Sequence, residues 1–169
     1  MSLTTARAQV EGCVDSGGNT FQLQNGARMA VLSRTGLEGL IHYDDGSGNV
    51  SNFNHDDFEI FVSEGTAKNV SLRSQQDSSS RKGCALMEAG CSGASAQLVY
   101  RCDSTKPVAG RSFRFEVTAT YALNRTFVSK ELSVCKLTPH SSTGGRRICD
   151  TRAHVTVLRE TSWYGLHRY

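Results

Sequence analysis

Arg111-Ser112-Phe113-Arg114-Phe115-Glu116-Val117-Thr118-Ala119-Thr120-Tyr121 alternates in polarity at nearly every step. Phe113, Phe115, Val117, Ala119 and Tyr121 fall on one side of an extended chain; Ser112, Arg114, Glu116, Thr118 and Thr120 fall on the other. Successive side chains of a strand point to opposite faces, so this stretch reads as an antiparallel strand with one face in a core and one in water. Downstream, Ala122-Leu123-Asn124-Arg125 supplies a turn. Thr126–Leu137 then places Val128, Leu132 and Val134 on one face, together with the stems of Lys130 and Lys136. Two such runs so close together predict a hairpin.

A second hairpin is expected near the start of the chain. Thr20–Gln24 and Ala27–Leu32 flank Asn25-Gly26, a pair that accepts positive φ at both central positions of a type I′ turn. Further strands are expected at Leu37–His42, Phe58–Ser63, Asn69–Ser74, Ala94–Cys102 and Ala153–Arg159. Asp44–Asn49, Gln75–Gly83 and Thr138–Gly145 are rich in polar and small residues and read as loops. Helical periodicity, internal repeats and a linker are all missing from the pattern. The expected fold is all-β: one domain over residues 1–169, a two-sheet antiparallel β-sandwich, jelly-roll-like or half of a supersandwich, with about eight to ten strands.

The composition narrows the function. Lys and Arg number 19 against 16 Asp and Glu, a net charge of +3, which is too small for the dense basic stripe of a nucleic-acid binder. No stretch approaches the roughly 18–20 apolar residues of a spanning helix. Met1–Arg7 carries no hydrophobic signal-peptide core. The cysteines point outside the cell nonetheless. Cys13, Cys84, Cys91, Cys102, Cys135 and Cys149 are even in number and lack the Cys-x-x-Cys pairs of zinc sites. Local geometry favours Cys135–Cys149, and Cys84 with either Cys91 or Cys102. Asn-x-Ser/Thr triplets at Asn49, Asn69 and Asn124 are glycosylation acceptors if the chain is exported.

Chemistry-bearing clusters are few. Asp44-Asp45 and Asp56-Asp57, with His55 beside the second pair, form the one dense polar group. Asp45, Ser47 and Asn49 stand at alternate positions and could offer oxygens to Ca2+, the one cofactor the sequence suggests. His42, His55, His140, His154 and His167 are scattered without metal-site spacing. No nucleophile elbow and no phosphate loop occurs, and catalysis is not expected. Trp163, Tyr164 and His167 cluster near the end of the chain. Flat aromatic faces beside polar groups are a means of stacking sugar rings.

Two stretches carry a family resemblance. One is Phe21-Gln22-Leu23-Gln24-Asn25-Gly26, continued by Val31–Leu40 and Asp57–Val62; the other is Phe115–Leu123, continued by Val128–Val134. Together they cover under half of the chain and resemble the strand pattern of galactose-mutarotase-like β-sandwich domains of carbohydrate-active proteins. The resemblance implies a β-sandwich that handles sugars. The family's catalytic His and carboxylate positions have no counterpart here, so no catalytic residue is carried over. The expected function is therefore an extracellular, non-catalytic, carbohydrate-recognising domain with Trp163, Tyr164 and His167 at the ligand. The alternative is a structural or assembly subunit of a filament, coat or adhesion component, with a neighbouring subunit as partner at its sheet edges.

Overall fold

The computed structural model describes residues 11–35, 39–53, 56, 58–62, 70–74, 83–103, 112–125, 127–137, 147–148 and 155–160. Among these residues the chain forms thirteen strands and no helix, as the alternation implies. They build three antiparallel sheets, where two were expected. β1 (Gly12–Gly17), β2 (Thr20–Asn25), β3 (Arg28–Ser33), β4 (Gly39–Asp44) and β5 (Val50–Asn52) form a meander, each strand bonded to the next. β6 (Phe58–Val62) and β7 (Val70–Arg73) form a hairpin that β13 (Val155–Glu160) joins on the β6 side. That long-range pairing closes the third sheet. β8 (Cys84–Ser92), β9 (Ser95–Asp103), β10 (Arg114–Leu123), β11 (Val128–Leu137) and β12 (Arg147–Ile148) form a second five-stranded meander.

The alternation of β10 holds residue by residue. Phe115, Val117, Ala119, Tyr121 and Leu123 are buried, and the residues between them are not. β11 pairs with it so that Leu132 faces Ala119, Lys130 faces Tyr121 and Val128 faces Leu123. The β2–β3 hairpin forms, but one step away from the expected turn. Asn25 pairs with Arg28, which leaves Gly26 and Ala27 in the middle. Gly26 has φ +64°, while Asn25 is not at positive φ. Glycine in the first central position is the type II′ arrangement. This register sets Phe21 against Leu32 and Leu23 against Ala30, all four buried. Centring the turn on Asn25-Gly26 would set Leu23 against Arg28, so apolar matching decides the register.

The core is shared by all three sheets. Phe21, Leu23, Leu32 and Leu40 of the first meander meet Phe58, Ile60 and Leu72 of the hairpin sheet and Leu98, Tyr100, Phe115 and Tyr121 of the second meander. Phe58 meets Tyr100 edge-on, with ring centroids 5.0 Å apart, a favoured aromatic geometry. Two disulfides reinforce this arrangement. Cys13–Cys91 ties β1 of one meander to β8 of the other, and Cys84–Cys102 joins directly paired residues of β8 and β9. The latter is one of the two pairings expected for Cys84. Cys135 is also disulfide-bonded, while its expected partner Cys149 lies outside the described residues.

Candidate functional site

Trp163, Tyr164 and His167 lie outside the described residues, as do Asn69 and Asp57. The candidate calcium ligands, in contrast, are brought together on the β4–β5 loop. Asp45 Oδ1 accepts from the Ser47 N–H (2.8 Å), the Ser47 hydroxyl (2.8 Å) and the Asn49 N–H (3.2 Å). Its Oδ2 accepts from the Asn49 side-chain amide at 2.7 Å, and that amide also reaches Ser47 Oγ at 3.1 Å. The Asn49 amide first, and the Ser47 N–H and hydroxyl next, hold the Asp45 carboxyl well below the usual carboxylate range. These are the bonds of an Asx turn. Both Asp45 oxygens are turned towards donors of their own loop, and a cation would have to displace them. Among the described residues no three His, Cys, Asp or Glu side chains converge as metal ligands.

The outward face of β9 and β10 is polar and only partly covered: Gln97, Glu116, Thr118 and Thr120 are half-buried. Gln97 Nε2 reaches Thr120 Oγ1 at 3.5 Å. Beside it the pairing of β8 with β9 slips between Leu86 and Glu88, and Met87 is left exposed. A bulge of this kind bends a strand and re-aims its neighbours. The result is an open depression of about 180 Å³ lined by Glu88, Gly90, Gln97 and Val99 among others. It is smaller than a drug-sized cleft. Its polar groups are a carboxylate and a carboxamide, able together to accept from and donate to adjacent hydroxyls.

Charge is also buried in the interior. Asp56 stands two residues before β6, and its side chain is 7% exposed. Asp56 Oδ2 accepts from the Leu40 N–H at 2.6 Å and from the Tyr121 hydroxyl at 2.8 Å. Asp56 Oδ1 accepts from Lys130 Nζ at 2.6 Å, and the Lys130 side chain is 3% exposed. The ammonium also lies 5.7 Å from the centre of the Tyr121 ring, within cation–π range. Gly39 makes this packing feasible. It has φ +100°, and a Cβ there would stand 2.6 Å from Asp56 Oδ2. A second buried carboxylate, Glu59 of β6, is held in two-point fashion by Arg73 of β7, with Nε–Oε1 3.0 Å and Nη2–Oε2 3.3 Å. Lys130 was visible in the sequence as a cation on an apolar strand face. Asp56 stood out only as part of an acidic pair, and nothing local linked the two.

Comparison of the chain with protein-family models, with curated proteins and with solved structures gives no match.

Proposed function

We propose that this chain is a carbohydrate-recognising β-sandwich domain that acts outside the cell without catalysing a reaction. The observation that carries the reading is the depression beside the β8 bulge, which Glu88 and Gln97 both line on the wet face of a sheet. Sugars present rows of hydroxyls, and a shallow polar site on a rigid strand pair binds such rows through paired donors and acceptors. Two disulfides support action in an oxidising compartment. The two stretches that carry the resemblance coincide largely with β2, β3, β6, β10 and β11.

A glycan array probed with the oxidised full chain tests the proposal. The Glu88→Ala/Gln97→Ala variant should bind the retained glycan at least about tenfold more weakly, a loss of about 1.4 kcal/mol, with its melting temperature unchanged. Trp163→Ala should weaken binding similarly if Trp163 stacks on the sugar. A wild-type chain that retains no glycan, or a double variant that binds as well as wild type, rejects the site.

An assembly role is favoured by a different observation. β1 and β8 are the outer strands of their sheets among the described residues, and they expose Val14 and Met87. Native mass under non-reducing conditions separates the two readings: a stable oligomer dispersed by Val14→Ser/Met87→Ser supports assembly, and a monomer at all concentrations rejects it.

A further inference from the structure

We propose that Lys130 and Asp56 are the partners of an intramolecular amide cross-link, formed when the folded interior condenses the ion pair and expels one water. The proposal is independent of the carbohydrate reading. It rests on how the two groups are held. Lys130 Nζ stands 2.6 Å from Asp56 Oδ1. A nitrogen so bonded to one carboxylate oxygen lies about 3–3.5 Å from the carboxyl carbon, the separation of a near-attack geometry. Both side chains are almost completely withdrawn from water, at 3% and 7% exposure. That withdrawal excludes the solvent that would return a newly formed amide to acid and amine.

The second carboxylate oxygen has the environment that acyl transfer requires. Asp56 Oδ2 receives the Leu40 N–H and the Tyr121 hydroxyl from two different strands. Two preorganised donors on one oxygen stabilise the charge that collects there when the carbon becomes tetrahedral. Gly39 contributes by omission, since a side chain at that position would occupy the space of Oδ2 itself.

The step balances with no outside reagent. A proton passes from the Lys130 ammonium to Asp56 Oδ1, giving an amine and a carboxylic acid. The Nζ lone pair attacks Cγ, and the π electron pair of the Cγ–Oδ2 bond moves onto Oδ2. A second proton passes from Nζ to the Oδ1 hydroxyl. The Cγ–Oδ1 bond breaks, Oδ1 leaves as water, and the carbonyl reforms at Oδ2. One N–C bond has formed, one C–O bond has broken, and nothing is oxidised or reduced. The cross-link joins residues 74 positions apart and ties β11 of the second meander to the segment entering β6.

The test is the mass of the folded full chain, aged until constant, then denatured with every disulfide reduced. The expected mass is one water below that of the sequence. Digestion should yield a branched peptide joining the fragments that contain residues 56 and 130, and the reduced chain should migrate faster than Lys130→Arg on a denaturing gel. A reduced wild-type chain at full sequence mass overturns the proposal. So does a one-water deficit that persists in Lys130→Arg, as a cyclic imide at Asp45-Gly46 would produce. So does a deficit mapped to any other pair. If the variant fails to fold, the wild-type mass and peptide map still decide between these outcomes.

Discussion

Two carboxylates, Asp45 on the β4–β5 loop and Asp56 before β6, each collect several hydrogen bonds, but from very different distances along the chain. The donors to Asp45 are Ser47 and Asn49, two and four residues away, and the loop is exposed. Leu40, Tyr121 and Lys130, which donate to Asp56, lie 16, 65 and 74 residues away, and its site is buried. The first carboxylate organises a turn that water could largely replace. The second is anchored from three strands, with no solvent to substitute for a missing partner. Removing one partner from a buried pair leaves a charge uncompensated, whereas an exposed one is simply rehydrated.

The largest effect should follow from Lys130→Met. Measured on freshly folded chain, before any cross-link forms, it leaves Asp56 buried without the Lys130 ammonium and should cost about 3–5 kcal/mol by denaturant unfolding. Changing both partners, Asp56→Leu with Lys130→Met, should recover part of that loss, because neither charge of this pair then remains inside. The recovery stays incomplete since the Leu40 N–H loses its acceptor. If Lys130→Met unfolds at the wild-type midpoint, the distinction between the two carboxylates collapses.

A smaller loss, about 1–3 kcal/mol, is expected for Gly39→Ala. The φ of +100° is strained for any residue with a Cβ, and the new methyl would meet the Asp56 carboxylate. Gly48→Ala, on the loop, shares a positive φ but faces open space. It should therefore cost less than Gly39→Ala, and equal losses would show that the close approach to Asp56 contributes nothing.

The smallest effect belongs to Asp45. Its carboxyl is held below the ordinary range by Asn49 and Ser47. A depressed folded pKa contributes stability above the unfolded value of roughly 3.9 and loses it as pH falls through that range towards the folded value. Amide exchange at Ser47 and Asn49 should therefore quicken on acidification beyond the intrinsic pH trend. Asp45→Ala should abolish that acid-dependent component and leave the global midpoint nearly unmoved. A global midpoint that drops as far as in Lys130→Met would erase the contrast from the other side.

The same contrast explains what could be read from one dimension. Period-two alternation over Arg111–Tyr121, the turn after it and the inward row of Val128, Lys130 and Val134 are local properties of the chain, and they yielded the all-β class and the β10–β11 pairing. The polar β4–β5 turn was equally legible, because Asp, Ser and Asn bond to their own neighbours. β1 and β8 were not, since strands at the outside of a sheet need no clean alternation: β8 is exposed along much of its length and bulged at Met87. Nor was the third sheet, which depends on β13 returning to β6. The Cys13–Cys91 bond spans 78 residues, and Lys130 finds Asp56 across 74. Polarity patterns specify which face of a strand turns inward. Which distant groups then meet on that face depends on chain closure and on the packing of the sheets against one core, and those are properties of the folded molecule alone.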